Sequence, residues 1–230
     1  MDVEEALRST GAIREFRPDP VPDEMVAWLL DTARFAPSGG NRQAWRVVVL
    51  KDPEARKGLR DIYLEGWYQY LAMGAAGLVP WAPLTDRAAE ASALESASAL
   101  AAAAAGGPGG FAEHLDEVPV LLVLLADLGA LAAVDRDLDR YTFVGGASVY
   151  PFAWSILLAA RTLGLAGVMT TMATRNEDRV RTLLGVPDHL AVAAVLALGW
   201  PVHQTTKLRR NEVSEFATLD RYDGPAVTYP

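Results

Sequence analysis

Apolar residues recur along this chain with two different spacings. Val26, Leu29, Leu30 and Ala33 lie one helical turn apart and predict a helix over about Asp23–Phe35, with Asp23 and Glu24 as acids in its first turn. The unbroken run Val47-Val48-Val49-Leu50 predicts a buried strand over Trp45–Leu50. Asp52-Pro53-Glu54 opens a second helix reaching about Tyr70. Further on, Val118–Ala126 and Leu190–Leu198 read as buried strands, Val168–Met172 as a short strand, and Asn176–Leu184 as a short helix ended by Gly185 and Pro187. Gly145–Leu163 carries Val149, Phe152, Ala153, Ile156, Leu157, Ala159 and Ala160. It is apolar almost all round, as a helix covered by neighbours or by a partner subunit must be. Strands and helices mix without a steady βαβ rhythm, so the predicted class is α+β.

Two segments interrupt this pattern. Ala36–Arg46 packs a proline, two glycines and several polar side chains between two buried elements. Such a turn exposes backbone N–H groups at a sheet edge and is a common ligand-binding place. Leu71–Gly110 is poorly patterned: Ala101–Ala105 favours helix, and Gly106-Gly107-Pro108-Gly109-Gly110 ends it. The stretch 71–117 reads equally as a surface insertion or as a mobile lid over a pocket. The tail beyond Gly199 is polar and extended.

Composition narrows the class. At 230 residues and 51% hydrophobic, with no linker-like division, the chain is expected to form one domain over 1–230. A net charge of −8 argues against nucleic acid or an anionic membrane surface as the main partner. The absence of cysteine removes disulfides, thiolate metal sites and cysteine nucleophiles together, and fits a reducing cytoplasm. The acidic start Met1-Asp2-Val3-Glu4-Glu5 lacks a signal-peptide pattern, and the apolar tracts are too short to span a bilayer as helices. The expected location is therefore cytoplasmic.

The familiar catalytic signatures are missing. His114, His189 and His203 are isolated, so no metal site is expected. Neither a G-x-G-x-x-G after a strand nor a P-loop occurs. Gly146-Ala147-Ser148-Val149-Tyr150 fails the nucleophile-elbow pattern at its last position, and Ser38 has no histidine near it in sequence. More informative are two cationic segments in an acidic chain: Arg8, Arg14 and Arg17 near the N-terminus, and Lys207-Leu208-Arg209-Arg210. Converging on one phosphate, arginines would give bidentate hydrogen bonds and the lysine a point charge.

Four stretches together resemble the FMN-dependent nitroreductase family. They are Ala12–Pro22; Ala33–Trp45 with its A-P-S-G-G-N-R-Q-x-W core; Leu163–Thr171; and Gly199-Trp200-Pro201 followed by Lys207–Arg210. The resemblance spans almost the whole chain. It implies an α+β sandwich with a central, mostly antiparallel sheet flanked by helices, in an intertwined homodimer. Two FMN molecules would lie in the subunit interface, with Gly145–Leu163 as the central interface helix. By the same resemblance, Arg14 reaches the flavin pyrimidine edge or phosphate. Lys207 and Arg209 grip the phosphate, with Arg210 as a neighbour able to substitute. Pro37, Ser38, Gly39 and Asn41 touch FMN from the partner subunit, with Gln43 or Arg42 adding a polar contact. The backbone of Ala166 and Gly167 approaches the reactive edge of the ring, where a small residue permits close approach and an N–H aimed at flavin N5.

The implied activity passes electrons from NADH or NADPH through flavin N5 to a small organic acceptor, nitroaromatic or quinone-like, by ping-pong exchange. No side-chain acid or base is required. The implied partners are a second copy of the chain and a small-molecule substrate, with no metal, nucleic acid or membrane. Trp67, Tyr68, Tyr70 and Trp81 either shape the substrate slot or pack on one another. One departure stands out: Thr10-Gly11-Ala12 occupy positions where many relatives carry basic residues and a serine, and Arg8 is the nearest cation able to replace them. That departure and the unusual middle segment keep two alternatives open: a flavin-storage protein with little turnover, and a specialised biosynthetic flavin oxidoreductase of the same family.

Overall fold

The computed structural model describes residues 1–228. Its elements are α1 (Val3–Ser9), α2 (Asp23–Ala33), β1 (Trp45–Leu50), α3 (Pro53–Ala75), α4 (Arg87–Leu94), α5 (Ala97–Ala104), β2 (Val120–Asp127), α6 (Tyr150–Thr162), β3 (Ala166–Thr170), α7 (Glu177–Leu184) and β4 (Leu190–Gly199). The four strands form one sheet in the order β1-β2-β4-β3, every neighbouring pair antiparallel. The expected α+β class and antiparallel sheet are thus observed.

Strand β2 explains why the sheet is a sandwich filling. It is apolar at each position from Val120 to Ala126, and all of these are buried. Its period of two sends Leu122, Leu124 and Ala126 to the face covered by α2 and α6, and Leu121, Val123 and Leu125 to the face covered by α3 and α7. Each such side chain contributes about 1.5–3 kcal/mol of burial. Trp45 is core rather than ligand surface: its ring stacks on Phe152 at 4.8 Å.

Local signals set the helix ends. Asp52 caps α3 through the Ala55 N–H at 2.8 Å, with Pro53 in the first turn. Asp86 accepts from the N–H groups of Ala88 and Ala89 to start α4. Gly185, at φ 64°, ends α7 in the left-handed region.

Several expectations are corrected. The N-terminal α1, too short to show a clear period, was not foreseen; Asp2 caps it through the Glu5 N–H at 2.8 Å. Helix α3 runs on to Ala75, and the stretch after it holds α4 and α5. These helices are alanine-rich, so they lack the apolar–polar contrast that reveals a helix in sequence. Gly145–Leu163 is not one helix, because Val144–Ser148 forms a tight 3-10 turn and α6 starts at Tyr150. Nor does α6 need a partner to cover most of its surface. Phe152, Ala153, Ile156, Leu157, Ala159 and Ala160 are buried within the protomer, while Tyr150 and Trp154 stay exposed. Strand β3 also begins earlier than expected, at Ala166, and Met172 falls in a following turn.

Candidate functional site

The first group of candidate residues forms a rigid loop just before β1. Gly40, Asn41 and Gln43 have φ of 61°, 53° and 50°. Left-handed backbone costs a non-glycine residue about 1–2 kcal/mol, with asparagine the most tolerant. Two serines hold this geometry. Ser38 Oγ accepts from the Gln43 N–H at 3.0 Å, and Ser148 Oγ accepts from the Gly39 N–H at 3.0 Å. Ser148 is buried and lies 109 residues away in sequence, so no local signal marks it as the anchor. Pro37, Gly39, Asn41, Arg42 and Gln43 remain exposed. Backbone strain kept in an exposed loop is a mark of a functional segment.

The second group gathers around Thr10–Arg14. This segment lies along the outer edge of β3, with Ala12 opposite Gly167 in a parallel bridge and the Ile13 N–H donating to the Gly167 carbonyl at 2.9 Å. It also pairs with the chain after β4, where the Arg17 N–H donates to the Trp200 carbonyl at 2.8 Å. Because a strand residue sends its N–H and C=O to the same side, the Gly167 N–H faces that edge too. The C-terminal segment comes to the same place. A side chain at Gly11 would meet Leu208 at 2.8 Å and Thr205 at 3.7 Å. Ala166, Gly167 and the segment Gly11–Arg14 therefore lie at one corner of the sheet, and Leu208, between Lys207 and Arg209 in the chain, lies against Gly11. Arg210 lines a cavity of about 650 Å³ with Leu7, Arg8, Leu208 and Ser214. Arg8 is paired with Glu4 at 2.8 Å on the surface.

Gly167 has a packing reason to be small: a Cβ there would lie 2.5 Å from the Ala197 carbonyl oxygen and 2.4 Å from Leu198.

The two groups occupy opposite corners. Trp45 aligns with Ala126, and Ala126 with Ala191, whereas Gly167 aligns with Leu198. Along β4, Ala191 and Leu198 are about 23 Å apart, and β1 lies three strand spacings, about 14 Å, from β3. One ring system cannot touch both corners of one protomer.

Electrostatics separates the corners further. Arg14, Lys207 and Arg209 are exposed, and none of them pairs with a carboxylate among the described residues. Most other cations of this acidic chain do, such as Arg46 with Asp127 at 3.0 Å and Arg140 with the buried Asp135 at 2.8 Å. Beside Arg14, the buried Tyr63 hydroxyl meets Thr170 Oγ1 at 3.2 Å, and burial pushes this phenol above its ordinary pKa. Burial would raise the Glu113 carboxyl too. The Gly110 N–H at 2.8 Å and the Tyr68 hydroxyl at 2.9 Å outweigh it and hold Glu113 below the ordinary carboxylate value. The aromatic candidates of the middle segment pack on one another: Trp67 stacks on Tyr70 at 5.5 Å, Tyr70 meets Trp81 at 6.3 Å, and Arg175 lies 5.0 Å over Trp81. Tyr63, Glu113 and Ser148 are the residues sequence reasoning missed. No group of His, Asp and Glu able to hold a metal occurs among the described residues, and no helix is long and apolar enough to cross a membrane.

A sheet sandwich with a glycine-bearing loop before its first strand and an N-terminal segment added to its last edge defines an α+β scaffold, and comparison with known proteins gives the family. The Nitroreductase family pattern matches residues 7–200, so this chain belongs to that family and is an oxidoreductase. It is 28% identical over 231 residues to an NADH dehydrogenase of Thermus thermophilus, covering 89% of each chain. It is 28% identical over 232 residues to the nitrobenzene nitroreductase of Ectopseudomonas oleovorans, covering 94% of this chain and 96% of that one. The fold superposes with a TM-score of 0.63 on the NADPH:FMN oxidoreductase of Vibrio harveyi, solved as a complex with NAD+. That match is 20% identical and covers 96% of this chain and 77% of the other.

Proposed function

We propose that this chain is an FMN-dependent oxidoreductase that works as a homodimer. It takes electrons from NADH or NADPH and passes them to a small organic acceptor of nitroaromatic or quinone type. The observation that carries the reading is that Arg14, Lys207 and Arg209 are exposed and pair with no carboxylate among the described residues, with Leu208 seated on Gly11 beside the Arg14 segment. Unanswered positive charge at one edge suits a phosphate and an electron-rich ring. Bound there, FMN supplies hydride and electron transfer at its N5.

The protein's own part is positioning. Arg14 would lie at the pyrimidine edge, where its guanidinium would stabilise negative charge on the reduced ring. Lys207 and Arg209 hold the phosphate. The loop Pro37–Gln43 lies at the opposite corner of its own protomer, so it completes the site of a second copy. Its strained, serine-clamped backbone keeps it ready for that contact at little further entropic cost. The relatives' names, an NADH dehydrogenase and a nitrobenzene nitroreductase, support the choice of donor and acceptor. Acceptor and donor enter the same open edge in turn, which is a ping-pong order, and solvent delivers the protons. A cysteine-free chain of this kind suits the cytoplasm.

The test is the visible absorption spectrum of the purified protein, before and after anaerobic addition of NADPH and then NADH. Flavin bands that bleach are the expected result. Persistent bands would favour flavin storage, and a colourless protein that does not take up FMN would end this reading. Sedimentation of a monomer would remove the shared site.

A further inference from the structure

Helices α4 and α5 hold on to the body of the protein by little buried surface. Between Gly74 and Gly110, Glu90 and Ala93 are the only buried residues, and α5 buries none of its own. A segment with so few buried apolar contacts opens before the core does. Glycines without a packing role stand at both ends of this pair. A Cβ at Gly77 or at Gly106 would meet nothing within 4 Å, and Gly77 turns with φ 75°. Such positions absorb backbone rotation at little steric cost.

Two polar fastenings hold the pair down, and each carries a penalty. At the first, the Arg87 guanidinium donates to the Tyr141 hydroxyl, 54 residues further on, and to Glu90 at 2.8 Å. Glu90 is buried, and its second oxygen has no hydrogen-bond partner among the described residues. A buried acceptor left unpaired costs free energy that opening returns. At the second, Arg175 lies 5.0 Å over the Trp81 ring. Trp81 has φ 53°, a left-handed backbone that a bulky side chain seldom takes. The seam between the pair and the rest is not tightly packed. A groove of about 730 Å³ runs along it, with Pro83 and Leu84 on one side and Leu138, Tyr141 and Phe143 on the other. The second side is firm, since the buried Asp135 binds Arg140 at 2.8 Å and accepts from the Phe143 N–H at 3.0 Å.

We propose that α4 and α5 form one hinged cover, turning about Gly77 and Gly106 and fastened at Arg87–Tyr141 and Arg175–Trp81. Opening it parts the walls of the groove and admits solvent and solutes to the seam. Each fastening offsets a penalty on the same side of the hinge, so the cover opens as a unit while the sheet stays folded. Nothing in this depends on a bound flavin or on a nicotinamide donor.

Hydrogen exchange of the purified protein, followed by mass spectrometry, tests this. In wild type, peptides over 78–105 should exchange more slowly than an unstructured chain and faster than β2. Tyr141→Phe removes the hydroxyl and keeps the ring. It should speed exchange about fivefold through the whole of 78–105, α5 included, although the lost bond reaches α4 only. Arg175→Gln should speed exchange of the same peptides about twofold. In both variants β2 and β4 should be unchanged. Faster exchange confined to the first turn of α4 would be local fraying and would overturn the cover, as would acceleration spread over the sheet or no change in either variant. Wild-type exchange over 78–105 as slow as that of β2, or as fast as that of an unstructured chain, would overturn it as well.

Discussion

The two corners of this sheet solve opposite problems. At the start of β1, the backbone is fully specified: Ser38 and Ser148 each take an N–H, and Asn41 and Gln43 are held in the left-handed region. At the edge of β3, the backbone is an ordinary extended pairing, but the side chains Arg14, Lys207 and Arg209 are left without carboxylates. One corner is ordered before any ligand arrives. The other carries charge that only a ligand would answer. In the homodimer proposed above, a second copy would bring one corner against the other.

The comparison can be broken at its edge strand. Gly167→Ala places a methyl group against the Ala197 carbonyl and should cost about 3 kcal/mol of stability, read in chemical denaturation. A variant as stable as wild type would show that β3 and β4 sit further apart than described. Arg209→Ala should weaken FMN retention by about 1.5–3 kcal/mol and leave the melting temperature of the flavin-free protein unchanged. Full flavin after dialysis would remove Arg209 from the phosphate site.

At the opposite corner the expected effects are smaller. Ser148→Ala takes the acceptor from the Gly39 N–H and should cost about 1 kcal/mol, with faster hydrogen exchange confined to Gly39–Gln43. Exchange that speeds up over the whole chain would mean that Ser148 supports the core rather than the loop.

The smallest effect concerns pH. Hydrogen bonds to Pro108 and Glu117 raise the His114 pKa above its ordinary value. Protonation therefore favours the folded loop. The contribution is complete below the unfolded value, about 6.5, and is lost as pH rises through the raised folded value. The protection of the Gly109 and Gly110 amides, taken relative to the base-catalysed exchange of an unstructured chain at the same pH, should fall across that window in wild type and stay constant in His114→Gln. A flat wild-type profile would leave the loop held by Glu113 alone.

Much of this protein was legible from sequence, for identifiable reasons. Strands β2 and β4 and the Val47–Leu50 part of β1 carry unbroken apolar runs, β4 being buried along one face and β2 on both. The loop before β1 announced itself by composition, since left-handed backbone needs residues such as Gly40 and Asn41. The cationic segments stood out against a net charge of −8. Helices α4 and α5 did not, because alanine favours helix without marking a buried face.

Contacts between residues far apart in the chain were decided only by the tertiary structure. Ser148 anchors Gly39 across 109 positions, and Leu208 lies over Gly11. Arg8, equal to Arg14 as a cation in sequence, is paired with Glu4, whereas Arg14 has no carboxylate partner among the described residues. Gly167 is glycine for the sake of the neighbouring strand. Sequence determines what each segment can become, because propensity and apolar spacing act over a few residues. Which segments meet depends on how the sheet folds up, and there the packing of β3 on β4 placed one half of the candidate site at the far corner from the other.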